Sequence, residues 1–540
     1  MIVVPVFSAA KPRISPRLLD ANNAQIAENC DLQRGTLAPL AGLGPVAVID
    51  AGEGDVRTIY KLQNGDWRCW TTDVDVAEAA VNDANSRIHY TGDGYPKQTD
   101  ATGAVLRLGL PQPSAPLTVQ LSPASPADDA EIARSASYVY TFVTEWGEES
   151  EPSPPTAVFD VYDGQDCLLT GFEIPSLPGT SISGYRIYRL NAGESTAEYQ
   201  LVPYSDAAGD MPADQTSFTD DVKDSELSSE VLPTEGWSRP PDAAKGLLHT
   251  GNGLFFCFDG RTIYVSESFI PYAYPTAYTL TTPADIVALG RFDQAVVVLT
   301  QAHPHVIQGI DPESLSMDKM PYNQACVAKR SVVNAPLGVI YASPYGLFLI
   351  GPEGPGLLTS SVYTKRQWAA LHPASLIGFY IDNQYVGFFS GTNAGIVFDF
   401  ESGDVGTIKF TDRVVYGGHI DPEDDSLYLL TNDGSTYLIE QWKGSESPLV
   451  CFWKSKEFFS SVPMNLGAAR IYGEQSPGDA LNFTTYANGE LLDAIAVTDN
   501  KPFRLKSGTK ANDWSFSVSG TAEAYEVRMG ASIGELQNGV

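Results

Sequence analysis

Five apolar strand centres recur through the second half of the chain: Leu254, Val297, Ile340, Val386 and Leu427, spaced by 43, 43, 46 and 41 residues. Each begins a pair of strand-like runs: LFFCFDGRTIYVSE, AVVVLTQAHPHVIQG, GVIYASPYGLFLIG, YVGFFSGTNAGIVFDF and LYLLTNDGSTYLIE. Between the runs stand residues that tolerate positive φ, at Asp259-Gly260, Asn393-Ala394-Gly395 and Asp433-Gly434. One unit of this length cannot bury both faces of its sheet. Radial stacking covers both faces and leaves only short edges. The spacing therefore predicts an all-β chain with β-propeller blades across residues 237–452.

Upstream, residues 1–113 hold a candidate sixth blade. Val56–Trp70 reads as a hairpin about Asn64-Gly65, and Arg87–Tyr90 adds a strand. Residues 114–236 form a candidate insertion, bordered by Pro111, Pro113, Pro116, Pro123 and Pro126 on one side and by Ser238-Arg239-Pro240-Pro241 on the other. Its Tyr/Val alternation in SYVYTFVTEWGEESEPSPP and SGYRIYRL predicts a fibronectin III-like sandwich. That resemblance concerns fold and implies no activity. Residues 453–540 read as a terminal β-sandwich or platform, with a hairpin at Asn488-Gly489. Helical patterns are sparse: Arg366–Leu376, broken at Pro373, and Leu18–Asn29.

The chain has 34 Lys+Arg against 66 Asp+Glu, a net charge of −32. Binding to nucleic acid or to an anionic membrane needs clustered cations, so this balance argues against a spread basic surface for either. The acidity is uneven. Residues 114–236 hold 22 Asp+Glu and 4 Lys+Arg, or −18, which leaves −14 for the rest. The six cysteines, Cys30, Cys69, Cys167, Cys257, Cys326 and Cys451, form no CxxC pair and read as reduced structural thiols. The segment MIVVPVFSAA lacks a basic leader region, and no run reaches the roughly 18 apolar residues of a membrane span. No membrane anchor is expected.

Catalytic patterns are weak. His303-Pro304-His305 is the only close histidine pair, and no third ligand completes a metal set, so a loop between strands is favoured. Asp421–Asp425 lacks the spacing of a calcium loop and reads as a solvated turn. Thr431–Tyr437 looks like a sialidase turn, but Gly434 follows Asp433 directly and Tyr437 stands where Trp is needed; a hairpin explains it. No catalytic, cofactor-binding or metal-binding residue is nominated, and no cofactor is expected.

Several stretches together resemble the nozzle, or tail tubular protein B-like, proteins of short-tailed bacteriophages. PRLLDANNAQIAENCDLQRGTLAPL (16–40) is similar to the family's opening segment. IYVSESFIPYAYP (263–275) places Ser266-Glu267, Pro271 and Pro275 as that family does. Residues 296–309 and 324–350 continue the resemblance, which covers about residues 10–535. It implies a virion structural protein made in the host bacterial cytoplasm and carried in the tail. The implied assembly is a homo-hexameric ring below the adaptor (head-to-tail connector) protein, with sites for tail fibre or needle proteins. Genomic DNA would pass through without sequence-specific binding. An acidic lumen would favour that passage, since it gives a polyanion nothing to hold. The competing expectation is a secreted propeller that hydrolyses or binds glycans.

Overall fold

The computed structural model describes the chain except for residues 50–54, 80–86, 100–101, 129, 131, 175–176, 193–196, 205–209, 475–479, 507 and 539–540. The fold is all-β, and its centre is a propeller. Five blades follow the repeat as expected, and the apolar runs form their second and third strands. Blade 3 comprises Lys245–His249, Phe255–Asp259, Thr262–Val265 and Leu280–Thr281; blade 4 spans Ile286–Phe292 to Ser316–Lys319; blade 5 spans Val333–Ala335 to Gly356–Leu357. Blade 6 runs from Leu376–Ile381 to Val405–Lys409, and blade 7 contains Val414–Ile420, Leu427–Asn432 and Tyr437–Pro448.

The upstream segment forms two units rather than one. Thr58–Lys61 and Trp67–Trp70 make a two-stranded blade 1. Asp75–Glu78, Ile88–Thr91, Lys97–Thr99 and Val105–Arg107 make a four-stranded blade 2. Among the described residues the ring therefore holds seven units, one more than the estimate of about six. An apolar cluster fills each junction. Between blades 3 and 4 lie Phe256, Val265, Val296 and Val298; between blades 7 and 1 lie Ile59, Leu430 and Ile439; between blades 1 and 2 lie Trp70, Ile88 and Tyr90. The remaining four junctions are filled in the same way, so each sheet buries both faces against its neighbours.

A strand from the other end of the chain closes the ring. Ala41–Ile49 pairs antiparallel with Tyr437–Pro448 as the outer strand of blade 7. The first 39 residues join the C-terminal body instead. Ile2–Val4 pairs with Glu523–Gly530, and Asn23–Glu28 pairs with Cys451–Ser455. Asn23–Glu28 corrects the helix expected over Leu18–Asn29. Its buried Ala24 and Ala27 face the terminal core, and the Gln25 side-chain amide donates to the Ser455 carbonyl at 2.7 Å, so tertiary pairing overrides local helical pattern. The other expected helix is present as Lys365–Ala370, capped by Thr364 and followed by a 3-10 turn at Pro373–Ser375.

The terminal body is continuous with the propeller. The outer strand of blade 6 pairs with Ser8–Ala10, and from there one eleven-stranded sheet runs on to Glu490–Val497. Its core contains Trp453, Trp514, Phe483 and Phe516, all essentially inaccessible. The insertion leaves the ring after blade 2 and returns before blade 3. Strands Thr118–Ser122, Asp166–Thr170 and Ser217–Asp220 form one sheet, and Tyr138–Val143 pairs with Gly184–Ala192 in another. Tyr138, Tyr140, Phe142, Leu169 and Tyr185 share one core, giving the fibronectin III-like sandwich.

Turn chemistry follows the sequence at Gly65, Gly260, Gly434 and Gly489, all with positive φ. It departs from it at Asn393-Ala394-Gly395. There Gly391 takes the positive φ, and Gly395 lies inside Ala394–Asp399, with Phe388 and the Gly387 carbonyl too close to admit a Cβ.

Candidate functional site

The innermost strands of the blades converge on the propeller axis. At one end, the turn Lys329–Ser331 projects two cations across it. Arg330 donates to the Tyr416 carbonyl at 2.7 Å and to the Arg57 carbonyl at 2.8 Å, and lies 3.6 Å from the Asp73 carboxylate. Lys329 pairs with Asp75 at 2.7 Å. Two adjacent residues before blade 5 thus hold blades 7, 1 and 2. Burial lowers the Arg330 pKa from its ordinary value, partly offset by Asp73. The bridge occupies the axis, with a cavity of about 300 Å³ beside it lined by Asp55, Arg57, Asp73, Arg330 and Tyr416.

The other end opens into a cavity of about 480 Å³. Tyr60, Glu78, His249, Arg291, Asn334 and His419 line it from blades 1, 2, 3, 4, 5 and 7, over a floor that includes Val76, Leu247 and Leu248. The Tyr60 hydroxyl donates to Glu78 at 2.8 Å, and burial followed by that carboxylate raises the tyrosine pKa. His419 packs on Tyr60 with ring centroids 4.7 Å apart, and His249 stacks on Phe255 at 4.6 Å. Burial is the main cause that depresses both imidazoles, His419 to about 4, so both are neutral at pH 7.

The sequence motifs fall elsewhere. His303 faces the Tyr322 carbonyl at 2.9 Å, while His305 is buried in His305–Gln308. Asp421 is ion-paired with Lys61, and the Asp433 carboxylate accepts the amides of Ser435 and Thr436 to close a hairpin. Among the described residues, no group of three or more His, Cys, Asp or Glu is placed to hold a metal ion. The six cysteines are free. No helix among the described residues is long and apolar enough to cross a membrane.

The stretches that carried the family resemblance have visible structural work. Asn29 donates to the carbonyls of Lys409 and Val450 at 2.9 and 3.3 Å and accepts the Lys409 amide at 2.8 Å. One side chain thus ties the N-terminal segment, blade 6 and the terminal body. Ser266 accepts the Phe255 amide at 3.0 Å, and Glu267 receives the Tyr278 hydroxyl at 3.1 Å, closing the turn beside blade 3.

No family model and no curated protein matches the sequence. Among solved structures, U3-55K is 10% identical, covers 76% of this chain and 100% of its own, and gives a TM-score of 0.32. An exo-β-1,3-galactanase from Phanerochaete chrysosporium is 11% identical over 54% of this chain and 98% of its own, with a TM-score of 0.23. Glutaminyl cyclase from Myxococcus xanthus is 11% identical over 37% of this chain and 89% of its own, with a TM-score of 0.22. Likeness at this level carries no functional argument.

Proposed function

We propose that this chain is a structural component of a bacteriophage tail: a subunit of the nozzle ring that continues the DNA ejection channel below the portal and adaptor. The observation that carries the reading is the use made of the family-like residues. Asn29, Gln25, Ser266 and Glu267 bond within and between modules, joining propeller and terminal body into one frame. A frame of this kind suits a part that transmits load.

The axis of one propeller is bridged by Lys329 and Arg330. The DNA path therefore belongs between subunits, around the axis of the ring. In that arrangement each copy presents a wall, and the acidic insertion serves either as lumen rim or as docking surface for a basic partner. Several of its acids are already neutralised internally: Arg186 bonds Glu149 and Asp210, and Arg189 bonds Asp220 and Asp224.

Native mass spectrometry of the purified chain tests the assembly. A closed oligomer centred on six copies supports the reading. A chain that stays monomeric at high concentration, and is absent from virions by peptide mass spectrometry, contradicts it.

A further inference from the structure

We propose that Cys30 and Cys451 form an oxidative cross-linking site, a thiol pair that closes to a disulfide and locks the N-terminal segment onto the terminal body. Antiparallel pairing sets Glu28 opposite Phe452. In an unbroken strand Cys30 would then stand opposite Val450 and point to the other face from Cys451. Asn29 breaks that alternation by taking a left-handed φ of 54°. Its side-chain amide donates to the Val450 carbonyl at 3.3 Å, and the Cys30 Sγ lies 3.4 Å from the Phe452 carbonyl. Cys451 stands between those two carbonyls, and the two thiols interact directly across the seam. Cys30–Asp31 packs against Cys451–Ser455 at the edge of the terminal core. The other four cysteines lie apart, in blade 1, the insertion, blade 3 and the junction of blades 4 and 5.

Access orders the two steps. Cys451 is inaccessible, whereas Cys30 is half-buried on the wall of a cavity of about 270 Å³ between the N-terminal segment and blade 6. A peroxide therefore meets Cys30 first. The Cys30 sulfur attacks one peroxide oxygen, the O–O bond breaks, and a sulfenic acid and one water result. The Cys451 sulfur then attacks the sulfenic sulfur. The S–S bond forms, the S–O bond breaks, and a second water leaves with the Cys451 proton. The two thiols give up two electrons and two protons, and the peroxide is reduced to two waters. Burial holds the Cys30 thiol well above its ordinary value, so the first step is slow. Slow reaction suits a lock set once rather than a fast sensor. The bond would reinforce the seam that Asn29 already clasps and close propeller and insertion into one loop. In the tail reading it forms after release from the reducing cytoplasm. The bond itself does not depend on that reading.

The test starts from the reduced full chain, incubated with hydrogen peroxide, alkylated with N-ethylmaleimide under denaturing conditions and digested without reductant for peptide mass spectrometry. A linked peptide pair carrying Cys30 and Cys451 is expected, with the other four cysteines alkylated. The melting temperature should rise by roughly 4 °C and fall back on addition of dithiothreitol. Cys30→Ser and Cys451→Ala should each abolish the link and the shift, and Cys69→Ser should keep both. Cys30→Ser, at the half-buried position, carries the test alone if the core substitution prevents folding. The proposal is overturned if Cys30 and Cys451 both stay alkylatable after peroxide treatment. It is also overturned if Cys30 ends as a sulfinic acid with no link to Cys451, or if the cross-link joins a different pair.

Discussion

Arg330 donates a 2.7 Å hydrogen bond to the backbone carbonyl of Tyr416, joining the turn before blade 5 to the inner strand of blade 7 across the propeller axis. The same guanidinium reaches Arg57 on the approach to blade 1. Arg330→Met should cost about 1–3 kcal/mol, because the part-buried Tyr416 carbonyl and the more exposed Arg57 carbonyl lose a charged donor. Gly417→Ala attacks the same junction from the other side. Its Cβ would fall onto the Arg57 carbonyl oxygen and stand 2.9 Å from Arg330 Nη2, and about 1–3 kcal/mol of strain is expected. Urea denaturation of both variants measures these losses, and as neighbours their effects should not add.

Acid should weaken the propeller before the carboxylates titrate. His419 is held near 4 by burial, with Asp421 and Asp424 raising it and Lys61 lowering it. Its unfolded value is about 6.5. Above that pH both states are neutral, and the contribution is fully present. As pH falls from about 6.5 through 4, the unfolded chain takes up a proton that the folded chain refuses. Stability then declines, by on the order of 3 kcal/mol across the window. His249 and His305 are lowered in the same direction. Denaturation midpoints at pH 7 and pH 5 should differ clearly, and His419→Gln should reduce the difference.

Asn29→Ala tests the clasp between modules. It leaves the Lys409 amide without its acceptor and two carbonyls without their donor, so about 2–4 kcal/mol is expected. Limited proteolysis should then release the N-terminal segment before the propeller is cut. Trp453→Ala provides a comparison at the same seam. Trp453 is fully buried against Phe7 and donates to the Ser8 carbonyl at 3.0 Å, and its loss should cost about 3–5 kcal/mol.

The insertion carries its own buried ion pair. Asp220 is inaccessible and meets Arg189, itself 1% exposed, at 2.6 Å, while Tyr138 donates to the same carboxylate. Asp220→Asn leaves the arginine buried with less compensation, and a loss of about 3–5 kcal/mol is expected. Hydrogen exchange should locate the loosening in residues 118–220 and leave the blades protected.

The propeller was legible because blades 3 to 7 each repeat one apolar hairpin at near-constant spacing, and Phe256, Val297 and Ile340 recur in their second strands. Blade 1 was harder to read. Among the described residues it has two strands, so Val56–Trp70 and Arg87–Tyr90 looked like parts of one unit. The closing strand Ala41–Ile49 gave no local sign of its partner, since Tyr437–Pro448 lies about three quarters of the chain away. Asn23–Glu28 read as helix because its strand identity comes from Ser455 and its neighbours, far along the sequence. The axial groups were hidden for a related reason. Lys329-Arg330 looks like any solvated basic pair, and Arg291, His249 and His419 come from separate blades that only ring closure brings together.

The central claim concerns a ring of copies, so the most direct measurement is cryo-electron microscopy of the tail-bearing particle with this chain located in the density. The account predicts several copies around the tail axis beneath the adaptor, each propeller bridged by its own Arg330, with DNA passing between copies. A particle whose tail axis lacks this chain, or a purified protein found only as isolated monomers, would contradict it.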